Sequence, residues 1–158
     1  MRYSRIFLSA TMEVLLNSMT YNLERFEKAQ VLEYQRALAE IRAGRKTSHW
    51  IWYIFPQLKG LGFSYHAEYY GIADEDEAQQ YLAHPVLGAR LREITTALLE
   101  LPENNPLSVM GHPDDLKLLS SMTLFAQISD DGSIFHQVID KYYGGHPDKR
   151  TLQMLEKL

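Results

Sequence analysis

Ser48-His49-Trp50-Ile51-Trp52-Tyr53-Ile54-Phe55 is the stretch on which the fold class turns. From His49 onward it is apolar or aromatic throughout, so periodicity cannot separate a short buried helix from a strand. Pro56 ends it in either case. No other segment of the chain alternates with period two. A single strand has no partners with which to build a sheet, so the expected fold is all-α whichever way this segment folds.

Working outward, the N-terminal side carries Asn22 as an N-cap. Leu23, Phe26, Tyr34, Ala37, Leu38 and Ile41 then hold one helical face until Gly44. On the C-terminal side, Gly60 and Gly62 make a turn and Ser64 caps a short helix that ends near Gly71. Asp74 with Glu77 has the form of a capping box opening a helix through Ala78, Tyr81 and Leu82. Pro85 is placed at the first position of the next helix, whose Leu87, Leu91, Ile94, Leu98 and Leu101 recur at spacings of four and three. Pro106 to Gly111 and Pro113 to about Ile128 read as two more helices. Ser133 caps another that stops at Gly144-Gly145, and Leu152, Leu155 and Leu158 mark the last. The expectation is one irregular bundle of about seven helices over residues 19–158.

Composition agrees with one domain. The chain has 158 residues, 46% hydrophobic, with a formal net charge of −4, enough for an ordinary single core. The absence of cysteine excludes disulfides, thiolate nucleophiles and the common structural zinc sites. Residues 1–18 have a basic start and an apolar middle. Glu13 interrupts the apolar run, no small-residue cleavage site follows, and the run is too short for a membrane helix. The expectation is a cytoplasmic protein that makes no use of a membrane, with residues 1–18 an extension ahead of a natural start at Met19.

Charge is distributed unevenly. Ile41 to Ala67 holds Arg42, Arg45, Lys46, Lys59 and both tryptophans, with no carboxylate. Removing those four cations from the net −4 leaves −8 on the remainder. A cationic, aromatic-rich segment on an acidic protein suits an anionic ligand carrying a flat ring. Backbone N–H groups and hydroxyls at Thr47 and Ser48, if Ser48 begins a helix, would join Arg45 and Lys46 as an anion site. The competing reading is a solvated helix end next to a buried aromatic plug. A second candidate lies in Asp114 to Thr123: on a helix, Lys117, Ser120 and Ser121 fall on adjacent turns. The alternative there is close packing, with the hydroxyls bonding to the preceding turn.

Several chemistries are excluded. His66-Ala67-Glu68 has the H-x-E form of a zinc deaminase but no cysteine pair follows. His136 and Asp140 lie four apart without a third ligand, so no metal is expected. No dinucleotide loop, P-loop or nucleophile elbow occurs, and no cofactor is expected. Nucleic acid is disfavoured by a pI of about 5.8, since four cations release few counterions unless stacking dominates.

Three long motifs, SHWIWYIFPQLKGLG (48–62), AHPVLGARL (83–91) and DDLKLLSSMTLF (114–125), together with LERFEKAQ and DKYYGG, resemble the bacterial domain-of-unknown-function family eighteen-ten. The resemblance covers roughly Leu23 to Leu155. It implies a compact all-α cytoplasmic protein and no particular activity. The calpastatin label carried by some members does not fit, because calpastatin is a disordered repeat inhibitor and this chain has a full core pattern. A looser similarity connects it to NADAR-type helical proteins that process ADP-ribose derivatives.

The functional expectation is a site for a phosphorylated, nucleotide- or ADP-ribose-like metabolite. Arg45, Lys46 and Lys117 would hold phosphates, Trp50 or Trp52 would stack on a ring, and Gln57, Ser120 and Ser121 would orient sugar or base. Ser48, His49 and Lys59 complete the expected ligand-binding set. Asp114 or Asp115 would serve any glycosidic cleavage. The alternative is a protein-interaction module anchored by exposed tryptophans. A Trp- and Lys-lined pocket would favour the first, a flat exposed patch the second.

Overall fold

Nine helices and no strand make up residues 21–158, the part of the chain described by the computed structural model. They are α1 (Glu24–Arg42), α2 (Ile51–Ile54), α3 (Tyr65–Tyr69), α4 (Glu75–Ala83), α5 (Leu87–Glu100), α6 (Pro106–Met110), α7 (Asp114–Gln127), α8 (Ile134–Tyr143) and α9 (Lys149–Glu156). The count exceeds seven because the short segments expected from Ser64 and Pro106 both close as separate helices and the undecided tryptophan segment adds another, each of four or five residues. The tryptophan segment is therefore helical, and the one sheet-like feature among the described residues is an isolated parallel bridge between Leu58 and Ile72. The expected extension at residues 1–18 lies outside the described residues.

Local chemistry sets most boundaries. Side chains of Ser64, Asp74, Asn105, Ser133 and Asp148 accept N–H bonds at the starts of α3, α4, α6, α8 and α9, and Gly144 ends α8 in the left-handed conformation. Two expectations need correction. Asn22 makes no side-chain cap, because α1 begins from a turn centred on Leu23. Pro85 precedes α5, which starts at Leu87, and the cap there is His84, whose Nδ1 accepts from Val86 and Leu87 N–H.

The core forms around α7. From Ser120 to Ala126 every residue of this helix is buried, so it is enclosed on all sides. It packs against α2, α4, α6, α8 and α9, while α5 joins α1, α4 and α8. Full burial of side chains such as Phe26, Leu118 and Phe125 contributes roughly 1.5–3 kcal/mol each. At the end of α5 the orphan carbonyls of Leu98, Leu99 and Leu101 accept from the Lys141 ammonium, and Tyr142 Oη also donates to Leu98.

Arg25 fixes the opposite side. Its Nε donates to Tyr69 O at 2.8 Å, Nη2 to Gly71 O at 2.9 Å, and Nη1 pairs with Glu77 Oε2 at 2.9 Å. Glu77 Oε1 in turn accepts from Ala73 N–H at 2.8 Å. Both side chains are buried, so α1, the end of α3 and the start of α4 share one charge network. Gly71 is required there, since a Cβ would lie 2.6 Å from Lys59 Cα. Removing one partner strands a buried charge: Arg25→Ala should cost about 3–5 kcal/mol in urea unfolding. A double replacement of Arg25 and Glu77 by apolar residues of similar volume should cost much less.

Candidate functional site

The segment between α1 and α2 is organised by one carboxylate. Glu40 Oε1 accepts from Thr47 N–H at 2.7 Å, Ser48 N–H at 2.9 Å and Trp50 Nε1 at 3.0 Å. The N–H groups proposed from the sequence for an external anion are thus bonded to an internal one. Ser48 does not begin a helix, because α2 starts at Ile51. Trp50 is 0% exposed, so its ring belongs to the core and is out of reach of a ligand.

Trp52, two residues on, faces the other way. It is half-buried, its ring stacks on His66 with centroids 4.7 Å apart, and the Lys117 ammonium lies 5.1 Å from its centroid. The tryptophan segment and α7 therefore meet in space. Lys46 adds a second link, pairing with Asp114 at 2.6 Å and lying 4.9 Å from the Trp50 ring. Asp114 also faces Lys117 at 3.7 Å. One carboxylate is shared by two ammonium groups.

Two clefts open around this junction, with Pro113 and Lys117 common to both. The first, about 360 Å³, is bounded by Lys46, Ser48, His49, Trp52, His112 and Asp114. The second, about 350 Å³, has Gln57, Leu61, Leu119, Ser120, Asp148 and Arg150 on its walls. Across the two, Lys46, Lys117 and Arg150 face Asp114 and Asp148, which leaves one net positive charge. Ser120 Oγ lies 3.1 Å from both Leu116 O and Asp148 Oδ2, so its hydroxyl serves packing and the cleft wall together.

The other expected residues lie elsewhere. Ser121 is fully buried with no partner for its hydroxyl among the described residues. Arg45 and Lys59 are exposed and line neither cleft. Asp115 faces His112 Nδ1 at 3.0 Å. His136 Nδ1 faces Ser133 Oγ at 2.7 Å, and no group of three or more His, Asp or Glu side chains is placed to hold a metal among the described residues.

Sequence reasoning missed His112, Asp148 and Arg150. A signal was present: Gly-His-Pro-Asp occurs at 111–114 and again at 145–148. Each repeat opens a helix, and together they supply His112, Asp114 and Asp148 to the clefts. Arg150 follows two residues later and donates to Leu61 O at 3.2 Å.

A short-helix bundle built on one buried helix, with a divided cleft at that helix's N-terminal end, defines the class as a single-domain all-α protein. The family described as Protein of unknown function (DUF1810) matches residues 20–155, and the chain belongs to it. The crystal structure of the conserved hypothetical protein Rv1873 from Mycobacterium tuberculosis, at 1.38 Å, is 47% identical with a TM-score of 0.85. The match covers 87% of this chain and 98% of that one. No curated protein matches the chain. Among the described residues no helix is long and apolar enough to cross a membrane.

Burial by itself would raise the Glu40 pKa, but the hydrogen bonds from Ser48, Thr47 and Trp50 outweigh it and hold the carboxyl down at about 2. A depressed folded-state pKa stabilises the fold above the unfolded value near 4.5 and loses that contribution as pH falls toward 2. Glu40→Gln should therefore lower stability at pH 7. The gap to the parent protein should narrow between pH 4.5 and 2, as followed by urea midpoints across that range.

Proposed function

We propose that the paired clefts bind a small anionic metabolite bearing a flat ring, of nucleotide or ADP-ribose type. The observation that carries this reading is Lys117, held over the half-buried Trp52 ring at the junction of the two clefts. Such an arrangement offers a cation for a phosphate beside an aromatic wall for a base. Trp52 Nε1 is buried without a hydrogen-bond partner, a donor that a small rearrangement would give to a ligand oxygen. The looser similarity to NADAR-type proteins points to the same ligand class.

One net positive charge suits a phosphodiester or monophosphate better than a triphosphate. For cleavage of a glycosidic bond the first cleft offers two imidazoles, His49 and His112, the latter with Asp115 on its Nδ1. Asp114 is committed to Lys46 and Lys117. The interaction-module reading loses its anchor, because neither tryptophan forms an exposed patch.

Titration with ADP-ribose, NAD, nucleoside monophosphates and sugar phosphates tests the site through tryptophan fluorescence and melting temperature. A saturable quench with a higher melting temperature is expected for at least one compound. Trp52→Phe should abolish the quench. Lys117→Ala should weaken binding about ten- to hundredfold, the worth of one charge-assisted hydrogen bond. Silence from the folded protein across the panel overturns the proposal.

A further inference from the structure

Nine large hydrophobic side chains are exposed among the described residues, and the three aromatic ones all fall within seven residues. Phe63 is 81% exposed, Tyr65 75% and Tyr69 44%. They sit on and beside α3. Tyr65 and Tyr69 stack with centroids 5.8 Å apart and planes only 10° from parallel. Tyr69 meets Tyr70 edge to face at 4.8 Å, and Tyr70 packs on buried Phe26. The exposed His66 ring stacks on Trp52, so the His66, Tyr65 and Tyr69 rings are each set against another ring. None of Phe63, Tyr65, His66 and Tyr69 lines either cleft.

Ordered aromatic faces on a surface are costly to leave in water, and a cluster of this kind marks a binding surface. Charge selects the occupant. From Ile41 to Ala67 the sequence has no carboxylate, and Glu68 is the one acid on α3. Lys59 is exposed before the platform. Lys117 lies over Trp52, which stacks on His66, and Arg150 bonds Leu61 two residues before Phe63.

We propose that Phe63, Tyr65, His66 and Tyr69 form a stacking platform for the bases of a short single-stranded nucleic acid. Lys59, Lys117 and Arg150 meet its phosphates. The overall negative charge, which argues against nucleic-acid binding in general, is the reason the affinity must come from stacking rather than counterion release. The four rings line neither cleft, while Lys117 and Arg150 stand on the cleft walls as well; the stacking itself does not require the clefts to hold a ligand.

The test is fluorescence anisotropy of a 5′-labelled ten-nucleotide oligothymidine and of its RNA counterpart, titrated with the full chain from 20 to 200 mM salt. Saturable binding is expected, with a shallow log–log salt slope of about −2, the value for three phosphate contacts on a single strand. Tyr65→Ala and Phe63→Ala should each lower affinity about five- to 150-fold, the worth of one base–aromatic stack. Tyr65→Phe should retain binding, and Val31→Ala, an exposed side chain of α1 outside the platform, should change nothing. Because these side chains are exposed, unchanged melting curves should accompany the losses. Absence of oligonucleotide binding at 20 mM salt overturns the platform, even where a mononucleotide still quenches Trp52. So does binding that survives loss of both aromatic rings, or capture of an aromatic- or proline-rich peptide in place of the oligonucleotide.

Discussion

The arrangement of the cleft depends on the carboxylate of Glu40. Placed on the last turns of α1, it gathers two backbone N–H groups and an indole N–H, and so dictates the path of a segment that has no regular structure of its own. Trp50 is thereby set into the core, and the short helix that follows turns Trp52 outward. Without that internal anion the chain between Gly44 and Ile51 would have to satisfy the same donors with water. The cation–ring pair at Lys117 would then lose its fixed wall.

Arg25 does for the platform side what Glu40 does for the cleft side. It draws Tyr69 and Gly71 carbonyls and Glu77 onto the first turn of α1, and thus holds α3 in place although a five-residue helix has little stability alone. The exposed rings on α3 stand on a support anchored by a buried ion pair. Buried pairs are often no more stabilising than apolar substitutes, so what this one contributes is direction: it fixes which way α3 faces.

Features set within a few residues were legible in the sequence. Ser64, Asp74, Pro106, Ser133 and Gly144 each mark a boundary by interactions reaching two to five residues, and Leu87, Leu91, Ile94 and Leu98 of the leucine stripe are buried core, with Leu101 partly buried just past the end of α5. Features set by distant neighbours were not. Trp50 and Trp52 look equivalent in sequence because a four-residue helix is too short to show a periodicity, and only Glu40 and His66 distinguish them. The Ser48 donors looked free because their acceptor lies eight residues back on another element. Ser121 could not be told from Ser120, since which hydroxyl meets the cleft depends on how α9 packs against α7. Arg150 reached the cleft from the far end of the chain, announced only by the second Gly-His-Pro-Asp.

Asp114 sits between Lys46 and Lys117 at 2.6 and 3.7 Å, and that unequal sharing governs how any anion would come and go. A phosphate arriving there would meet no bare cation; it would have to displace the Asp114 carboxylate from Lys117, the more distant of the two lysines, while Lys46 kept that carboxylate in place. The free energy of capture is then a difference between two similar attractions, and small for that reason. A site built this way would exchange an anion quickly and follow its concentration, a gauge rather than a store.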